Sequence, residues 1–146
     1  MKNAVALALA AVFLTGQAVY AAEPQQERQQ TMKGVGEAMG TLAKTIKGEI
    51  EYDATAVANA FKKMNEASRN FADKFPEGSE TGHETEASPK IWSDRPGFEK
   101  AVQEFEADTD SAVKAAPKDI DEFKAAFGRV AENCKTCHET YRVKKE

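Results

Sequence analysis

Thiols and imidazoles are scarce in this chain. Its 146 residues include two cysteines and two histidines, so at most one disulfide can form and a four-ligand zinc site is hard to assemble. An excess of positive charge is also missing. The formal net charge of −4 argues against nucleic acid as a partner. No segment alternates in polarity with period two, and β-branched residues are sparse, so nothing points to a sheet. Beyond the first residues there is no apolar run long enough to span a bilayer, and the mature protein is expected to be soluble rather than an integral membrane protein.

The N-terminus is the exception. Met1-Lys2-Asn3 carries one positive charge, and Ala4 to Leu14 is unbroken apolar sequence, too short for a spanning helix. Val19-Tyr20-Ala21 follows with residues suited to signal-peptidase cleavage. Residues 1–21 therefore read as a cleaved secretory signal, and residues 22–146 as one exported domain.

Four apolar stripes run through that domain. Met32, Val35, Met39, Leu42 and Ile46 are spaced three and four apart, as are Val57, Phe61, Met64, Phe71 and Phe75 with one gap. Phe98, Val102, Phe105, Ala112 and Val113 make a third. Ile120, Phe123, Phe127, Val130, Cys134, Cys137 and Tyr141 make the fourth and most regular. Such spacing predicts amphipathic helices, with Asp53 as an N-cap and Asp119 with Glu122 as a capping box. Short turns at 47–53 and 115–119 make successive helices antiparallel. The fold class is all-α, an antiparallel four-helix bundle. Only the stretch 76–94 is a long loop, and Ile91 and Trp92 give it something to bury against the bundle.

Both cysteines sit with a histidine in Cys134-Lys135-Thr136-Cys137-His138. On a helix these fall at i, i+3 and i+4, on one face. Two thiols so placed can add to the two vinyl groups of one haem, and the next imidazole reaches the iron from the same side. This is the attachment pattern of haem c, with His138 as proximal ligand. A thioredoxin-like redox pair shares the Cys-x-x-Cys spacing but belongs to a βαβ context absent here. Zinc could recruit only His83 and a carboxylate, and a short disulfide along the helix is a further alternative.

Taken together, these motifs resemble the class II c-type cytochromes, the cytochrome c′ family, across the whole mature chain. The likeness rests on Arg28-Gln29, Phe75-Pro76-Glu77-Gly78, Pro89-Lys90-Ile91-Trp92, Ala125-Ala126-Phe127-Gly128 and the haem motif closed by Tyr141-Arg142. It implies a periplasmic, non-enzymatic protein with one covalent haem c in a four-helix bundle. It further implies that Arg28 and Gln29 approach the haem propionates, that Arg142 lies near the proximal imidazole, and that Thr85 and Glu86 border the haem edge. Redox partner proteins are expected, and a homodimer through the first two helices is within the family's range.

Met32, four residues after Arg28, stands where the resemblance places the distal residue. Two functions diverge there. Met32 as an iron ligand would give a six-coordinate electron carrier, since Met/His coordination raises the reduction potential. Met32 as a core filler would leave a five-coordinate iron that binds NO or CO. Gly34, Gly36 and Gly40 cost the first helix stability, which suggests a close approach of its backbone to the porphyrin or to a neighbouring helix. His83 reads as a solvent-exposed loop residue. No distal His–Arg pair suited to a peroxidase is visible.

Overall fold

A computed structural model describes residues 23–143; the leader expected at 1–21 lies outside them. Five α-helices and one 3₁₀ turn account for the regular structure, and no β-strand occurs among the described residues. They are α1 (Pro24–Ile46), α2 (Ala54–Ser68), a 3₁₀ turn (Ala72–Lys74), α3 (Lys90–Ser93), α4 (Arg95–Ala115) and α5 (Ile120–Tyr141). The four long helices form the expected bundle.

Local chemistry sets the boundaries. Pro24 occupies the first turn of α1, where its missing N–H is no loss. At the other end Gly48 takes a left-handed φ of 72°. There Gly48 N–H donates to Thr45 O and Glu49 N–H to Lys44 O, at 3.1 and 2.9 Å, a Schellman closure. Asp53 caps α2 by accepting from Ala56 N–H at 2.8 Å. Asp119 Oδ1 caps α5 through Asp121 and Glu122 N–H. The capping box is slightly displaced, because Glu122 reaches back to the N–H of Lys118 rather than Asp119.

One stripe is broken where continuity was expected. The helix carrying Val57, Phe61 and Met64 stops at Ser68, because Arg69 is extended and Asn70 is left-handed with φ 56°. Phe71 and Phe75 are still buried, but they hang from the 3₁₀ turn and build a different part of the core.

The core therefore has two clusters. One joins Val35, Leu42, Val57, Phe61, Met64, Phe123 and Val130 along the bundle. The other gathers Phe71, Phe75, Ile91, Phe98, Val102 and Tyr141 beneath the long loop. In the second, edge-to-face contacts run from Phe71 to Phe75, Phe98 and Tyr141 with centroids 5.2, 4.8 and 5.3 Å apart, a favoured aromatic geometry. Helices α1 and α2, α2 and α4, and α4 and α5 pack along their lengths, whereas α1 and α5 meet only sparingly. The up-down-up-down order brings the start of α1, the long loop and the end of α5 to one end. At the opposite end Tyr52 donates its hydroxyl hydrogen to Pro117 O at 2.5 Å, pinning the two short turns together.

The end of α5 is fastened to the start of α4. Asp94 caps α4 by accepting from Gly97 N–H at 3.3 Å, and its other oxygen accepts from the Tyr141 hydroxyl at 3.0 Å. A Cβ on Gly97 would come within 2.6 Å of that hydroxyl and still closer to the carboxylate. Gly36 differs, for a Cβ there meets nothing within 4 Å. Gly97→Ala should therefore destabilise the protein by ~1–3 kcal/mol, whereas Gly36→Ala should stabilise it by up to about 1 kcal/mol. Chemical denaturation of the two variants beside the parent checks the opposite signs.

Candidate functional site

The haem motif lies on the last turns of α5. Cys134 and Cys137 are both half-buried free thiols, and His138 is exposed. Cys134 Sγ points along its own helix to Val130 O at 3.6 Å, while Cys137 packs on the loop-side cluster that contains Tyr141. Burial raises both thiol pKa values. Cys137, which also faces Cys134, is pushed up to about 11. Burial and the Arg142 guanidinium lower the His138 pKa, with Glu86 opposing them; the neutral imidazole is the form that binds a metal.

Met32 projects from α1 at the junction of the two clusters. It is half-buried and packs against both. The sparse meeting of α1 with α5 thus falls between a helix bearing a thioether and a helix bearing two thiols and an imidazole.

Arg28, one turn before Met32, is 3% exposed. Its guanidinium donates to Ser79 O at 2.7 Å, Thr85 Oγ1 at 2.9 Å, Ser79 Oγ at 3.0 Å and Lys74 O at 3.5 Å. It also lies over the rings of Phe75 and Trp92, 4.7 and 5.7 Å from their centroids. Every hydrogen-bond acceptor is neutral. Burial accordingly lowers the Arg28 pKa, with only the field of Glu80 raising it. A buried cation among neutral oxygens is electrostatically suited to a further anion.

The remaining expected residues divide. Gln29 donates to His83 O at 2.8 Å, and Thr85 serves Arg28 and the N–H of Ala87. Glu86 pairs with Arg142, whose Nε donates at 2.6 Å. The Arg142 main-chain N–H reaches His138 O at 3.3 Å. These polar groups already have protein partners. His83 is exposed, as expected, and its Nδ1 lies 3.3 Å from Gln26 Nε2. Of the two expected approaches for the α1 glycines, that to a neighbouring helix is not seen at Gly36 and Gly40, where an added Cβ meets no protein atom within 4 Å, while at Gly34 it meets the flexible Lys63 side chain.

Sequence reasoning missed Ser79 and Gln25, whose Nε2 donates to Thr81 O at 2.8 Å. It also missed the Asp94–Tyr141 bond. Ser79, Gln25 and Asp94 belong to no periodic stripe, and although Tyr141 lies on the fourth stripe, only the path of the loop reveals its partner.

The donor set fits haem c. Two thiols and an imidazole share one helix, a thioether stands on the helix across the seam, and a buried cation lies one turn away. No group of three or more His, Cys, Asp or Glu side chains among the described residues could hold a metal ion, so the zinc alternative has no ligand set. The family profile described as Cytochrome C′ matches residues 23–142.

The chain belongs to the cytochrome c′ family.

Its relatives include a cytochrome c-556 from Agrobacterium fabrum, 38% identical over 88% of this chain and 86% of that protein. A cytochrome c′ from Rhodopseudomonas palustris is 34% identical over 90% of this chain and 89% of its own. The solved structure of Rhodopseudomonas palustris cytochrome c′ superimposes with a TM-score of 0.82, at 32% identity, over 86% of this chain and 100% of that one. As a member of this family the chain is a class II monohaem cytochrome with one covalent haem c. No helix among the described residues is long and apolar enough to cross a membrane.

Arg28→Ala should cost ~2–4 kcal/mol of stability, because it leaves several buried loop oxygens without donors. It should also expose the segment 77–84 to proteases. Thermal denaturation and limited proteolysis test both effects.

Proposed function

We propose that this protein is a periplasmic carrier of single electrons. Cys134 and Cys137 attach the haem, His138 is its proximal ligand and Met32 its distal one. The haem supplies a one-electron Fe(III)/Fe(II) couple. The chain's own residues supply attachment, two axial donors and an apolar surround that limits water. No substrate is transformed.

The position of Met32 carries this reading. Met32 is half-buried and packs against both core clusters, the second of which also takes in Cys137 of the haem motif. A thioether there is a suitable sixth ligand, and six-coordination in both oxidation states keeps reorganisation small. Arg28 and Gln29 are placed to approach the haem propionates only if loop contacts are shared, since both now donate to protein oxygens. Thr85 and Glu86 border that same edge chiefly as partners of Arg28 and Arg142. The leader at 1–21 accounts for export, and an electron-transfer protein partner is expected.

Relatives named cytochrome c-556 and cytochrome c′ both occur, and the second reading is a five-coordinate iron open to NO or CO. The optical spectrum separates the two. Sharp, split α and β bands unchanged under CO are expected for the parent. Met32→Ala should convert them to a broad, CO-sensitive high-spin spectrum. A parent spectrum that is already high-spin would remove Met32 from the iron.

A further inference from the structure

The long loop touches both helices of the seam, and it does so through adjacent residues. Thr85 Oγ1 accepts from Arg28 of α1 at 2.9 Å. The next residue, Glu86, pairs with Arg142 at the end of α5. We propose that the segment around Thr85-Glu86 is a strut that holds α1 at a fixed distance from α5 across the haem slot, and thereby sets the reach of Met32 toward the iron. The part concerning Met32 rests on the ligation proposed above; the strut itself does not.

Three observations carry the inference. First, the backbones of α1 and α5 come close at few places, so helix-to-helix packing fixes their separation less than it does for the other neighbouring pairs. Second, both ends of the strut are gripped by more than one bond. On the α1 side, Ser79 O and Oγ join Thr85 on the Arg28 guanidinium, while Gln25 and Gln29 donate to Thr81 O and His83 O. On the α5 side, Val143 N–H donates to Glu86 O at 2.9 Å and Ser88 N–H to Tyr141 O at 3.0 Å. These flank an antiparallel bridge between Ala87 and Arg142. Third, the grips sit close to the candidate ligands. Arg28 is one helical turn before Met32, and Arg142 one turn beyond His138.

The two grips are unequal. The Arg28 end is buried and charge-assisted, the strong kind of hydrogen bond. The Glu86–Arg142 pair is partly open, with side-chain exposures of 30% and 51%, so water and salt weaken it. The main-chain bonds therefore do most of the holding at the α5 end. A helix tied in this way cannot slide outward without breaking buried bonds first.

Lengthening the strut tests the idea while leaving its ties to α1 and α5 in place, and breaks the bond from Ala87 N–H to Thr85 Oγ1 within the loop. Two glycines inserted between Thr85 and Glu86 leave each grip free to form but relax the span between them. Thr85→Val weakens the α1 grip instead, and Glu86→Ala removes the exposed pair with Arg142 while leaving the main-chain bonds at the α5 end. Each holoprotein carries a nitroxide at Gln30→Cys, an exposed position on α1, and pulsed electron paramagnetic resonance reads its distance to the ferric iron. The insertion and Thr85→Val should broaden and lengthen that distance and lower the low-spin population on the order of tenfold; Glu86→Ala should do less. An unchanged distance distribution in the insertion variant overturns the strut, whatever the spin state. A broadened distribution in a protein whose spectrum ignores Met32→Ala supports the strut and rejects the ligation. Insensitivity of the spin state in a protein that does respond to Met32→Ala separates the strut from ligand reach and rejects that link.

Discussion

A guanidinium held away from water, with only neutral oxygens and two aromatic faces for company, organises one end of this protein. Isolated charge is costly to bury, so Arg28 is tolerable only while its donors are engaged by Ser79, Thr85 and Lys74. That requirement folds the long loop back over α1. It also fixes Phe75 and Trp92 beneath the guanidinium, and through them the aromatic chain that ends at Tyr141. The helix carrying the haem motif is thus positioned partly by a residue on the first helix that it scarcely touches.

In the proposed function, the seam between first and last helices is the side of the bundle that takes the haem. Three of its four helix pairs close with side-chain packing; the fourth brings a thioether, two thiols and an imidazole toward one space. A haem held between these helices, as proposed, would add apolar contact where their backbones meet at few places. Cofactor and fold are in that sense complementary, and the thin stripes on α1 and α5 become intelligible as two sides of one slot.

Much of this was readable beforehand, for identifiable reasons. Helical periodicity marked the four long helices, since each buries one face, and the Cys134-Cys137-His138 spacing specified haem c through covalent geometry alone. The caps at Asp53 and Asp119 followed from side-chain chemistry. The break after Ser68 was hidden because Phe71 and Phe75 keep roughly helical spacing while the backbone between turns left-handed at Asn70. Thr85 and Glu86 were singled out by resemblance, but their partners could not be foreseen. Those partners lie more than fifty residues away in sequence, and no local pattern encodes such a pairing. Gly36 and Gly40 have no neighbouring helix within 4 Å of an added Cβ, because a small residue permits close packing without requiring it.

The bond from Tyr52 to Pro117 has a bearing on how the cofactor gains entry. It closes the end of the bundle remote from the haem motif, where the turns are short and Gly48 completes a hydrogen-bonded stop. The other end is closed by a long loop, through the buried Arg28 bonds and the more open Glu86–Arg142 pair. A bundle fastened so unevenly would be expected to open first at the end that carries the haem motif, where α1 and α5 meet sparingly. A flat porphyrin entering between α1 and α5 would leave the packing of Phe61, Phe123 and Leu42 in place.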